Sequence, residues 1–143
     1  MSSIIEVQEE IIKEFSVFTD WVDKYSYIIE LGRNLEKMPE ELKTEENLIR
    51  GCQSKVWLSA EYKNGKLYFK ADSDALVTKG LISLLIKIFS GKTPKEILDS
   101  NLYFIEKIGL SNHLSPTRSN GLLAMIDKIK AYALIHSQSE NKN

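Results

Sequence analysis

The feature that most constrains this chain is Asn64-Gly65, set between two runs in which apolar and polar residues alternate. Val56, Leu58, Ala60 and Tyr62 alternate with Trp57, Ser59 and Glu61, the period of a strand with one buried face. Asn-Gly supplies the positive φ angles that a type I′ turn needs at both central residues. A two-residue loop sets Lys63 opposite Lys66, and counting outward pairs Tyr62 with Leu67, Ala60 with Phe69 and Leu58 with Ala71. The apolar faces of the two runs then coincide, and a slip of one residue would break that agreement. A hairpin is therefore predicted over 56–62 and 66–71. Leu48 and Ile49 are expected to begin a short strand before it, for a small antiparallel sheet of about three strands.

Helical patterns surround the hairpin. Ser3 and Glu6 have the spacing of a capping box, followed by Ile4, Val7, Ile11, Phe15 and Phe18 at helical intervals. Asp20 and Asp23 suit the start of a second helix and Gly32-Arg33 its end, and the two are expected to form an antiparallel helical hairpin. Asp72 and Ser73 offer N-caps, with Asp74 in the first turn, for a helix that is apolar nearly all round from Leu76 to Phe89. Thr93-Pro94-Lys95-Glu96 reads as another capping box with proline at the first helical position. Short helices to about Asp99 and from Leu102 to Ile108 should follow. A last helix should begin at Ser115 to Thr117, with Leu122, Ile126, Ile129 and Ala133 along one stripe. The polar tail, from about 137, is expected to fray. The fold class is α+β, and the 143 residues suit a single domain, 1–143.

Nineteen basic and twenty acidic residues leave a net charge of −1, so neither a nucleic-acid nor a membrane partner is expected. The N-terminal residues show no signal or transit pattern, and the single cysteine points to a reducing compartment; the expected location is cytoplasmic. One cysteine and two histidines, His113 and His136, fit no common zinc spacing, so no metal site is expected.

Chemistry is left to Cys52. Gly51 in front of it permits backbone angles closed to other residues, and Gln53 and Ser54 behind it favour a loop, so the thiol should sit on a connection at one end of the sheet. Arg50 and Lys55 flank it, and nearby positive charge would favour the thiolate that acts as nucleophile. A buried structural thiol and a hydrolase dyad of Cys52 with His113 are the other readings of the same residues.

Two stretches, Arg50-Gly51-Cys52-Gln53-Ser54-Lys55-Val56-Trp57 and His113-Leu114-Ser115-Pro116-Thr117-Arg118-Ser119-Asn120-Gly121-Leu122, together resemble the signature segments of the SufE family. The resemblance extends to Asp72-Ser73-Asp74 and to Lys79-Gly80-Leu81. It implies a fold shared with IscU-type scaffolds, a small antiparallel sheet with helices on one face. It also implies a sulfur carrier: Cys52 would accept sulfane sulfur from a SufS-type cysteine desulfurase and deliver it to an iron–sulfur scaffold complex. Arg118 would dock or anchor, and Asp74 would neighbour the cysteine loop. The chain itself would need no cofactor, since pyridoxal phosphate would belong to the desulfurase. A single cysteine disfavours holding a cluster. Gly51 is expected to act as hinge between an inward and an outward loop, and the reading admits a homodimer.

Overall fold

The computed structural model describes residues 3–141, with side chains over 3–138. Strands β1 (Val56–Lys63) and β2 (Lys66–Ser73) form the hairpin, and the register is the one counted from the turn: Lys63 with Lys66, Tyr62 with Leu67, Ala60 with Phe69, Leu58 with Ala71. Asn64 and Gly65 both take positive φ, 53° and 78°, as a type I′ turn requires. Val56, Leu58, Leu67, Phe69 and Ala71 are buried on one face. On the other, Glu61 and Tyr68 meet solvent.

The expected third strand is reduced to a single bridge, Leu48 with Trp57, supported by Ile49 N–H donating to the Val56 carbonyl at 2.8 Å. The reason is local. A 3₁₀ turn at Glu45–Asn47 ends just before Leu48 and Gly51 turns the chain just after Ile49, so only two residues are extended. The far edge of β2 is covered too: Leu67 N–H donates to the Lys92 carbonyl, and Phe69 N–H to the Ser90 hydroxyl.

Among the described residues six α-helices complete the fold: α1 (Ile4–Phe15), α2 (Trp21–Arg33), α3 (Leu76–Phe89), α4 (Pro94–Leu98), α5 (Phe104–Lys107) and α6 (Pro116–Asn141). Both capping boxes form, Ser3 with Glu6 and Thr93 with Glu96. The expected α1–α2 hairpin does not dominate, because α2 takes α3 as its main neighbour. A Cβ built on Gly80 would stand 2.1 Å from the Ile28 carbonyl oxygen, and one on Gly32 would stand 2.7 Å from the Gly80 nitrogen. Two glycines thus let the backbones touch. α1 meets α2 near their turn, where Phe15 and Phe18 pack on Tyr27 and the Tyr27 hydroxyl donates to Glu14.

α3 is the central element, with Leu81, Ile82, Leu84, Leu85, Ile88 and Phe89 all buried against the sheet and neighbouring helices. Its cap differs from expectation. Ala75 occupies the N-cap without a side-chain bond, leaving Asp72 and Asp74 for other partners. Asp72 joins Lys43 at 2.7 Å and Lys79 at 3.2 Å, tying the segment 34–46, which carries Glu36, Glu40, Glu41, Glu45 and Glu46, to the hairpin and α3. α6 begins where expected: Ser115 caps it through the Arg118 N–H, and Pro116 fills the first position. The helix continues through 137–141, residues read from sequence as a fraying tail, and 142–143 lie outside the described residues. None of the helices, among the described residues, is long and apolar enough to cross a membrane.

Candidate functional site

Two anchors define the loop that carries Cys52. On one side the Leu48–Trp57 bridge and the Ile49–Val56 hydrogen bond hold the stem to β1. On the other, Asp74 is bonded twice to Lys55: its carboxylate accepts from the Lys55 N–H at 3.0 Å, and its own N–H donates to the Lys55 carbonyl at 3.2 Å. Asp74 therefore neighbours the cysteine loop and fixes its end to the start of α3. Between the anchors, Gly51 takes φ +95°, closed to most other residues.

That turn brings Cys52 back over α6. Its thiol is half-buried and donates to the Gly121 carbonyl oxygen at 3.7 Å. A Cβ on Gly121 would lie 3.5 Å from the sulfur, in ordinary van der Waals contact, so the thiol packs directly against the helix at this position. A cleft of about 90 Å³ opens beside it. Its inner wall is made by Thr78 and Leu81 of α3 and by Gly121 and Met125 of α6, all buried, and its rim by Gln53, Ser54, Thr117 and Arg118.

Burial pushes the Cys52 thiol above its ordinary pKa. The expected help from Arg50 and Lys55 does not offset this, because both side chains lie in solvent while the sulfur turns inward. Arg118, at the rim, is exposed and makes no ion pair among the described residues.

His113 is elsewhere. Its ring stacks on Trp21 at 4.0 Å, its carbonyl accepts from the Tyr25 hydroxyl, and it does not line the cleft. The sequence-based dyad with Cys52 is therefore absent: the thiol gives its hydrogen bond to Gly121 instead. Among the described residues no group of three or more His, Cys, Asp or Glu side chains converges to hold a metal.

The site thus joins Cys52, Gln53, Ser54 and Arg118 around one cleft, with Gly51 as the turn and Asp74 as the anchor. Sequence reasoning did not single out Gly121, Thr78 or Met125. Gly121 did carry a signal, since a glycine inside a helix costs stability relative to alanine and marks a close approach.

Fold and site together define a small α+β protein that holds one sheltered thiol at the end of a two-stranded sheet, against a helix. The family model described as the SufE, Fe-S metabolism associated domain matches residues 9–133. The chain belongs to the SufE family, which associates it with iron–sulfur metabolism. An uncharacterised SufE-like protein of Rhizobium meliloti (strain 1021) is 44% identical over 131 residues, covering 87% of this chain and 93% of that protein. Another, from Rhizobium etli, is 40% identical over 134 residues, 90% of each. The solution structure of a hypothetical protein from Thermus thermophilus shares the fold, with a TM-score of 0.72 at 19% identity over 89% of this chain and 93% of that one.

Proposed function

We propose that Cys52 is a sulfur acceptor: it takes sulfane sulfur from the persulfide of a SufS-type cysteine desulfurase, stimulates that enzyme by clearing its product, and carries the sulfur to an iron–sulfur scaffold complex. The observation that carries this reading is the placement of the chain's one thiol on a loop, tucked into a cleft with space beside the sulfur. Membership of a family tied to iron–sulfur metabolism supports it.

The step is a thiol exchange. The Cys52 thiolate attacks the outer sulfur of the partner's persulfide, a new sulfur–sulfur bond forms at Cys52, the old one breaks, and the partner's cysteine leaves as thiolate. No electrons are gained or lost overall. The chain turns over no substrate of its own, so it acts as a transfer partner rather than an enzyme, and pyridoxal phosphate resides on the desulfurase.

In the inward position the thiol is protonated and screened, which suits a carrier that must protect its cargo. Docking would turn the loop outward about Gly51, and solvent and partner charge would then release the thiolate. Arg118, an unpaired cation at the rim, is placed to meet an acidic patch on the partner, while Asp74 holds the loop's stem. This reading places the protein in the cytoplasm and needs only one copy, so a homodimer is not required.

The test is intact-protein mass spectrometry after incubation with a SufS-type desulfurase and free cysteine. Wild type should gain about 32 Da per sulfur, reversibly with reductant, and Cys52→Ser should gain none. A folded wild-type chain that takes up no sulfur from either of two active desulfurases would sink the proposal.

A further inference from the structure

Three polar or charged side chains are buried among the described residues: Gln8, Thr78 and Lys92. Gln8 uses both ends of its amide, accepting from the Tyr103 and Phe104 N–H groups and donating to the Asn101 carbonyl. Thr78 is different. It is only 8% exposed, yet its hydroxyl has no hydrogen-bond partner among the described residues.

A threonine in a helix ordinarily bonds back to a carbonyl three or four residues earlier, here Ala75 or Asp74. Thr78 does not. Nor is its oxygen sealed away, for no side-chain nitrogen or oxygen that is wholly closed to solvent lacks a partner among the described residues. The oxygen therefore keeps an opening, and the cavity its residue lines is the Cys52 cleft.

The cleft has an electrostatic need that Thr78 meets. The Gly121 carbonyl can accept from a thiol S–H but cannot stabilise a sulfur anion, and Leu81 and Met125 are apolar. A persulfide is more acidic than its parent thiol, so cargo on Cys52 would lose its proton to solvent and place negative charge on the outer sulfur. Of the other donors lining the cleft, Gln53, Thr117 and Arg118 stand exposed at the rim and Ser54 is half-buried on the cysteine loop itself, which leaves Thr78 as the buried hydroxyl of the inner wall. The cleft is several times the roughly 10–15 Å³ that one water needs, so an added sulfur fits without moving the walls.

We infer that the Thr78 hydroxyl is a positioning residue for the cargo, donating a hydrogen bond to the outer sulfur of a Cys52 persulfide held in the cleft. The inference rests on the sulfur-acceptor reading and adds to it the group that retains the sulfur once accepted.

The test uses the full chain without any partner. Inorganic polysulfide loads Cys52, whose thiolate displaces a shorter polysulfide anion, and intact mass then follows loss of the added sulfur to dithiothreitol. Thr78→Val, nearly isosteric, should lose its sulfur about fivefold faster than wild type, the scale of one ordinary hydrogen bond. Thr78→Ser should lose it at close to the wild-type rate, and the unfolding midpoints of all three should agree. Equal rates for wild type and Thr78→Val would overturn the inference, as would a Thr78→Ser variant that releases sulfur as fast as the valine. Both outcomes leave the acceptor reading standing. A wild-type chain that takes no sulfur would end that reading and this inference with it.

Discussion

The Cys52 sulfur lies 3.7 Å from the Gly121 carbonyl oxygen, on a helix 69 residues further along the chain. Position 121 thereby links helix stability to the space around the thiol. A glycine in a helix interior costs up to about 1 kcal/mol relative to alanine, and an alanine Cβ 3.5 Å from the sulfur makes only an ordinary contact. Gly121→Ala should therefore raise stability by about 0.5–1 kcal/mol in urea melts. The same methyl narrows the cleft, so desulfurase-dependent sulfur uptake, read by intact mass, should slow. Unchanged uptake would mean that the added sulfur rests outside the cleft.

Burial raises the Cys52 pKa in the folded chain above its unfolded value. Between the two values the folded chain keeps a proton that the unfolded chain has lost. The stabilisation is full below the ordinary thiol pKa and disappears as pH rises through the folded value. Iodoacetamide rates measured against pH should show a midpoint for the native chain above that of the urea-unfolded chain. Coincident midpoints would remove the sheltered resting state.

The Asp72 carboxyl has the opposite sign. Desolvation pushes it up, but Lys43, the Ser73 N–H and Lys79 outweigh that and hold it below the usual value. Its contribution is present above the unfolded pKa and fades as pH falls through the folded one. Asp72→Asn should cost about 1–2 kcal/mol near neutrality, a half-buried pair standing between exposed and buried cases. The gap from wild type should close as pH falls below the usual carboxylate range in denaturant melts. A constant gap across that range would assign the loss to packing instead.

Local chemistry made much of the fold legible. The Asn64-Gly65 turn dictated the register because its geometry allows few pairings, and Ser3 and Thr93 announced their helices because a cap and its partner lie three residues apart. What failed depended on distant chain. Leu48 and Ile49 look like a strand, but Gly51 and the 3₁₀ turn before them leave room for one bridge. The α1–α2 hairpin lost to an α2–α3 contact that depends on Gly32 meeting Gly80, 48 residues away.

The site divides the same way. Cys52 was readable as a loop thiol from Gly51, Gln53 and Ser54, whereas Asp74 was placed beside that loop only through the family resemblance. Its shelter was not readable, because α6 supplies it. Sequence neighbours suggested that Arg50 and Lys55 would act on the sulfur, yet in an exposed loop both side chains point to solvent while the thiol turns inward. Thr78 gave no sign at all, since a threonine in an apolar helix stands out only once its hydroxyl is seen to lack a partner.

The two anchors of the cysteine loop also set a leash. Ile49 is tied to Val56 and Lys55 to Asp74, so Cys52 is three residues from a fixed point on either side. Three extended residues span about 10 Å, so the Cys52 backbone can swing no further than that from the end of the sheet, and the thiol extends it only by the length of one short side chain. Any protein that exchanges sulfur with it must bring its own reactive atom within that radius, either on a shallow surface or on a mobile arm that covers the remaining distance.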